Sequence, residues 1–571
     1  MRRRIALISI IALAAAAVFS GERLERPVTP SPDPILYLVA DAERDLMRVP
    51  VSLTPLSDAQ ETVIGDNLAR SYVDANSAGG KEDELIAQYV SATGAALAKS
   101  AHRKLKYQFH YIPREFLVNA FALPGGHIFI GKGLLELMDT EDELASVLGH
   151  EIEHVELRHC AEREQIQARL RGFPIGLLFE IPIEIFQAGY SKEQELDADR
   201  EGVRLAVASG YSAAGGVAVF QRFEKIESEW RNAEKQRRRH SVLELPADIA
   251  SVVVLDSLEG YFRSHPPAQE RRERIERLIV EERWNPGAQR PLAVAYMLRR
   301  DQARRLLAAG QTDKARVAAE EALALNPKYP PALNLAGDID FERADFARAA
   351  ELYRRSLDIE PGQAEVPTSY AVALAVSRSA ADAAEKYDEW MGTAAAGAVP
   401  ESARVEAAGL KLLAGDPSAA KNLAQNPASS KSGGKPFVEA RLGWWYSRAG
   451  DQQTGAGLIE AALELRPQDA ALRNMLGWVL VAQQKYLTAK TMLSGAFGGD
   501  GGEATMLQAV IAWETKDGPG VAARNYAAAA AARKAWENPR WVAALYGVKV
   551  EQTVAALRAE NNRLTRAMKS R

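Results

Sequence analysis

The chain has 571 residues, 47% of them apolar and 26% charged, which is too long for one core and suits two to four globular domains. A formal net charge of −4 leaves no excess of basic groups and excludes charge-driven nucleic-acid binding. Cys160 is the one cysteine, so no intramolecular disulfide can form and stability must come from burial.

Arg2, Arg3 and Arg4 precede an apolar run from Ile5 to Phe19, and Ser20 and Gly21 follow it. A basic start, a short apolar stretch and a small-residue exit predict a signal peptide over residues 1–20 and export to the periplasm. The run is shorter than the roughly 20 residues that cross a bilayer, and a retained inner-membrane anchor is the alternative. No cysteine follows it, so a lipoprotein anchor is excluded.

The next stretch is Pro-rich (Pro27, Pro30, Pro32, Pro34) and predicted extended. Helical patterning starts near Ser57. From Glu84 to Ser100, Ile86, Tyr89, Val90, Thr93 and Leu97 fall at helical spacing. Tyr107–Ile112 alternates as a strand, Phe116–Leu123 is a second candidate, Pro124-Gly125-Gly126 is a turn, and His127–Ile130 is a third strand. Thr140 with Glu143 forms a capping-box signature for a helix expected to reach at least Arg158.

The stretch Phe173–Phe186 reads as packed core or a substrate-facing flap. Glu180, Glu184 and two prolines argue against a membrane span there. A helix over Lys192–Ser209 stops at Gly210, and charged helices continue to about Arg283.

Beyond Asn285 alanine rises and a period emerges. Small residues recur at Ala303, Gly337, Ala371, Gly409, Gly443 and Gly477, at intervals of 34, 34, 38, 34 and 34. Asn326-Pro327 and Glu360-Pro361 also lie 34 apart. Small residues let paired helices approach closely, and the proline ends the second helix. The pattern resembles the tetratricopeptide repeat over roughly residues 290–540, a solenoid that presents grooves to peptides and proteins. The expected organisation is a signal peptide (1–20), a catalytic domain (21–289), a repeat domain (290–548) and a C-terminal helix (549–571). In that helix Val550, Val554, Leu557, Asn561, Leu564 and Met568 alternate steps of four and three. This reads as a solenoid cap or, alternatively, a dimer seam with Asn561 setting its register.

The chemistry lies in Val147-Leu148-Gly149-His150-Glu151-Ile152-Glu153-His154. Four residues turn about 400°, so the imidazoles of His150 and His154 leave one helix face and can hold a zinc ion. Glu151, about 100° around the axis, can serve as general base without ligating. This is the zincin signature. A third ligand is required. Glu195 is the candidate, with Asp199 one turn on to support a histidine ligand. On spacing alone, Glu193, Glu195, Asp197 and Asp199 read rather as a solvated acidic face.

Ser191-Lys192-x-x-Glu195-x-x-Ala198-Asp199 resembles the glutamate helix of the M48 zinc metallopeptidases, with lysine where the family has arginine. Asn119-Ala120-Phe121-Ala122-Leu123-Pro124-Gly125-Gly126 upstream and His265-Pro266-Pro267 with Arg271 or Arg272 downstream extend the resemblance to about residues 55–285. The resemblance implies one zinc per chain held by His150, His154 and Glu195, with Glu151 as the catalytic base. It also implies an α+β metallopeptidase domain with a small sheet ahead of the solenoid, so the fold class is mainly α. Asn119, Ala120 and Phe121, or alternatively His127–Ile130, are candidates to pair with an extended substrate as an added strand. In relatives a histidine in the loop of His265 covers the zinc, which implies a regulatory fourth ligand; the alternative is a structural loop histidine.

His159 and Cys160 do not fit the third-histidine pattern of other zincins. His159 is expected at a helix end or in packing, and Cys160 as a small buried residue.

Peptidase plus repeats behind a signal peptide is similar to periplasmic proteins that combine protease and chaperone roles in outer-membrane protein biogenesis. The expected partners are unfolded or misassembled envelope proteins, with the outer-membrane assembly machinery engaged through the repeats and peripheral contact with the membrane. The alternative is a repeat chaperone or scaffold with a latent or vestigial zinc site.

Overall fold

The computed structural model describes residues 56–76, 79–115, 117–162, 190–239, 267–394, 399–425, 434–493 and 502–569. The predicted signal peptide, the Pro-rich segment, the Phe173–Phe186 stretch and His265 lie outside these residues. The chain divides into two compact units, Met1–Ala295 and Tyr296–Arg571.

The first unit is α+β. Its described elements are α1 (Asp58–Asn76), α2 (Lys81–Ala98), β1 (Gln108–Ile112), β2 (Ala120–Leu123), β3 (His127–Gly131), a single turn α3 (Lys132–Leu135), α4 (Glu141–Glu156), α5 (Lys192–Ala208), α6 (Ala214–Arg239) and α7 (Ala268–Glu281). Helix α2 buries Ile86, Val90, Thr93 and Leu97, the stripe its periodicity predicts. Tyr89 of that stripe instead donates its hydroxyl to Glu141 Oε2 at 2.6 Å.

The three strands run in the order β1-β3-β2, with β3 parallel to β1 and antiparallel to β2. The β2–β3 turn is the predicted Pro124-Gly125-Gly126. Gly125 has φ +79, and a Cβ there would sit 2.5 Å from the Thr62 backbone. Strand β3 is therefore the centre of the sheet, hydrogen-bonded on both sides. This removes His127–Ile130 as a strand that could pair with substrate; among the described residues β1 and β2 are the edge strands of the sheet.

Helix α4 also differs from expectation, ending at Glu156 rather than running through Arg158. Arg158 takes a left-handed conformation, φ +60, which breaks the helix. It is held by Leu56 O at 2.9 Å, Asp58 Oδ1 at 2.6 Å and the Glu61 carboxylate.

The second unit is helical throughout its described residues. Seven consecutive helix pairs run from Ala295–Ala308 to Pro519–Ala532, one pair more than the small-residue period marks. The period has a steric cause. A Cβ on Gly337 would lie 2.6 Å from the Tyr353 ring, one on Gly409 2.2 Å from the Trp445 ring, and one on Gly443 2.7 Å from the Gly455 carbonyl. Ala303 and Ala371 are fully buried. Asn326, Glu360 and Arg466 leave the helical conformation ahead of Pro327, Pro361 and Pro467, as the ring of a following proline favours.

The last helix, Val548–Lys569, buries Val550, Val554 and Leu557 in the same core as Leu476, Leu507 and Trp541. The first half of the heptad seam is thus used as a cap on the chain's own solenoid. No described helix is long and apolar enough to cross a membrane.

Two glycines in adjoining helices test the steric account. Gly443→Ala should cost about 1–3 kcal/mol of stability by overpacking. Gly457→Ala, with nothing within 4 Å of the new methyl, should gain up to about 1 kcal/mol from helix propensity. Urea unfolding of the two variants, followed by circular dichroism, measures the difference.

Candidate metal centre

The site is built on α4 and α5. Helix α4 starts at a complete capping box: Glu143 N donates to Thr140 Oγ1 at 3.2 Å, and Thr140 N donates to Glu143 Oε2 at 2.9 Å. Ser191 and Gln194 start α5 in the same way, at 3.3 and 3.1 Å. The two helices cross at glycine. A Cβ on Gly149 would lie 2.6 Å from Gly202 O, and one on Gly202 would lie 2.6 Å from His150 N. Glu195 is seven residues, about two turns, before Gly202, so it shares the face turned toward α4.

That crossing brings three predicted residues together. His150 Nε2 and His154 Nε2 are 3.0 Å apart; Glu195 Oε2 is 3.6 Å from the first and Glu195 Oε1 3.8 Å from the second. Ligand atoms 2.0–2.1 Å from a tetrahedral zinc lie about 3.3 Å from one another. Two imidazoles and a carboxylate at these separations fit zinc in both geometry and donor type. Glu195 and His154 are almost wholly buried, while His150 is partly open.

The surroundings orient these groups. Asp199 Oδ1 accepts from His150 Nδ1 at 2.9 Å, the contact expected of it. Of the two candidate arginines, Arg271 is the one at the site. Its guanidinium grips Asp199 with two bonds, 2.6 and 2.7 Å, and reaches Glu195 Oε2 at 3.4 Å. Arg272 instead pairs with Glu224 and Glu276, each at 2.7 Å. Lys192, where the family has arginine, makes an exposed contact with Glu270 at 2.7 Å.

Charge follows from this arrangement. Burial raises the Asp199 carboxyl, but the charge and hydrogen bonds of Arg271 and His150 outweigh it and hold the group well below the usual range. Burial likewise disfavours charge on His150, yet Asp199 and Glu195 raise it overall. Glu151 is pushed up to about 7, chiefly by burial and against the pull of His150. That value suits a group that accepts and returns a proton near neutrality.

Glu151 and His150 line a cleft of about 470 Å³, counting its open mouth, whose other walls include Val147, Val203, Val219 and Phe220. Ala120 of β2 lines the same cleft. Phe121 does not: its ring stacks on Phe129 at 4.9 Å in the core behind the sheet. Asn119 accepts from Gly131 N at 2.9 Å just ahead of β2.

Sequence reasoning missed Tyr190, and it left the partner of His159 unnamed. Tyr190 stacks on His154, centroids 3.8 Å apart, and donates its backbone N–H to Glu195 Oε1 at 3.1 Å. No motif marks it. His159 is buried in packing just past the end of α4, as expected, and its partner there is His154. Cys160 is buried as expected, with its thiol against Tyr190 OH and Ala122 O.

A helix bearing two histidines and a glutamate, joined by a carboxylate from a second helix, defines a metallopeptidase type of site. Residues 84–279 match the model of peptidase family M48, and this part of the chain is an M48 peptidase domain. Over 177 residues the chain is 33% identical to the beta-barrel assembly-enhancing protease of Yersinia pestis, covering 27% of this chain and 36% of that one. Over 339 residues it is 26% identical to the protein of the same name from Escherichia coli K12, covering 53% of this chain and 68% of the other. It is also 31% identical over 123 residues to mitochondrial metalloendopeptidase OMA1 of Arabidopsis thaliana, covering 20% of this chain and 25% of that one. The matched stretches thus span from a quarter to about two thirds of these relatives. Among solved structures, a tetratricopeptide repeat protein from Parabacteroides merdae aligns over 55% of this chain and 95% of its own, with a TM-score of 0.30 and 13% identity.

Alanine at His150, His154 or Glu195 should abolish binding of one zinc per chain, measured by metal analysis after dialysis. Asp199→Asn should keep the ligands but weaken zinc binding about 10–100-fold.

Proposed function

We propose that this chain is a zinc-dependent endopeptidase of the periplasm that hydrolyses unfolded or misassembled envelope proteins, with the repeat unit binding substrate or partner. The observation that carries the reading is the convergence of His150, His154 and Glu195 beside a buried Glu151. The M48 domain and the names of the relatives support the same chemistry. Periplasmic location is supported by the basic and apolar pattern of residues 1–21.

His150, His154 and Glu195 would hold the zinc, leaving the side toward the cleft for substrate. Zinc, when bound, supplies Lewis acidity that polarises the scissile carbonyl and acidifies water. Glu151 takes the proton of the attacking water on its carboxylate and passes it to the leaving amine. Asp199, gripped by Arg271, keeps the proton of His150 on Nδ1 and leaves Nε2 free to ligate. The outer edge of β2, which no other described strand pairs with, offers backbone groups to an extended chain, which favours substrates that are unfolded locally or throughout. The apolar walls of the cleft beside Glu151 suit an apolar side chain next to the scissile bond.

Glu151→Gln should retain zinc and lower casein digestion by about 10²–10⁴-fold. Digestion at the wild-type rate with zinc in place would remove Glu151 from the mechanism. Val219→Phe narrows the cleft and should lower kcat/KM for peptides with leucine beside the cut bond more than for those with alanine. Fluorogenic peptide pairs read that ratio.

A further inference from the structure

Each imidazole of the centre has a partner on its far nitrogen, and the two partners differ in kind. His150 Nδ1 meets the charged pair of Asp199 and Arg271. His154 Nδ1 meets His159 Nδ1 at 3.0 Å, with both residues buried. We infer that His159 is a positioning residue that fixes the ring and tautomer of His154; the inference rests on the zinc reading above.

The bonding leaves little choice. His154 turns Nε2 toward His150 and Glu195, so Nε2 must carry the lone pair if it is to ligate. The proton of His154 then resides on Nδ1 and is donated to His159 Nδ1. His159 acts as an uncharged acceptor, with its own proton on Nε2. Burial suits that state, because an imidazolium there would oppose one N–H to another.

The backbone is arranged for this contact. In an unbroken helix, a residue five positions after His154 would point about 140° away from it. The left-handed turn at Arg158 reverses the chain and returns His159 to the ring of His154. That conformation is unfavourable for a residue with a side chain. The Arg158 guanidinium, tied to Leu56, Asp58 and Glu61, offsets it. On its other face the His154 ring is covered by Tyr190, tilted 22° from parallel. Tyr190 is itself fixed through Glu195 and Cys160. The ring is thus held in plane by Tyr190 and in rotation by His159.

Two variants of the full chain separate positioning from packing. His159→Asn places an amide oxygen near the position of Nδ1 and keeps an acceptor; His159→Phe keeps a ring and removes the acceptor. The zinc dissociation constant, measured by competition with a chromophoric chelator, should rise about 10–100-fold in His159→Phe and stay within about threefold of wild type in His159→Asn. The melting temperatures of the metal-free variants should not follow that order. Equal zinc affinity in wild type and His159→Phe, or equal weakening in both variants, overturns the inference. Wild type that binds no zinc overturns the metal reading itself. Should a variant fail to fold, nitrogen-15 NMR of histidine-labelled, zinc-loaded wild type still decides: a proton on Nε2 of His159 is expected, and one on its Nδ1 overturns the inference.

Discussion

The close crossing of α4 and α5 at Gly149 and Gly202 governs the first unit. Backbone touches backbone there, because neither position has a side chain to hold the helices apart. The crossing decides where Glu195 arrives, two turns from the contact, and its carboxylate meets the imidazoles through packing rather than through the reach of a long flexible side chain. A capping box at the start of each helix keeps both from fraying, and the left-handed turn at Arg158 ends α4 where the next residue is needed.

Such packing gathers ionisable groups into a volume with little water. Glu195, Asp199, Arg271 and His154 are all nearly inaccessible, and an unpaired charge among them would cost several kcal/mol. The bidentate grip of Arg271 on Asp199 neutralises one carboxylate. The other, Glu195, faces two imidazole nitrogens, a donor set that a divalent cation balances. The two imidazoles are then supported differently: His150 by an ion pair, His154 by a neutral ring and a stacked tyrosine. Charge on one side and shape on the other hold the two imidazoles at a common point.

The second unit rests on a simpler repetition. Small residues lie where helices meet, within a pair at Gly337 and between successive pairs at Gly409, and the bulky Tyr353 and Trp445 fill the space that a side chain would have taken. Where the chain departs from the 34-residue spacing, between Ala371 and Gly409, the small residue is kept, and Gly409 packs against Trp445 of the following pair. The C-terminal helix closes the apolar end of this stack with Val550, Val554 and Leu557.

Local pattern was enough to read much of this molecule. The four-residue spacing of His150 and His154, the capping boxes, the turn at Gly125 and the small-residue period are each set by backbone geometry over a few residues or one repeat, so they are legible in the sequence. The acidic run from Glu193 to Asp199 was not legible in that way. Its spacing suits a solvated face as well as a ligand, and only a family resemblance singled out Glu195. Tertiary structure decided what depends on distant segments meeting. It put β3 at the centre of the sheet and left β2 at the edge, chose Arg271 over Arg272, laid Tyr190 across His154, and turned His159 back to His154. Contacts of this kind form between residues tens of positions apart, or across a break in a helix, and no local period encodes which of two neighbouring side chains faces inward.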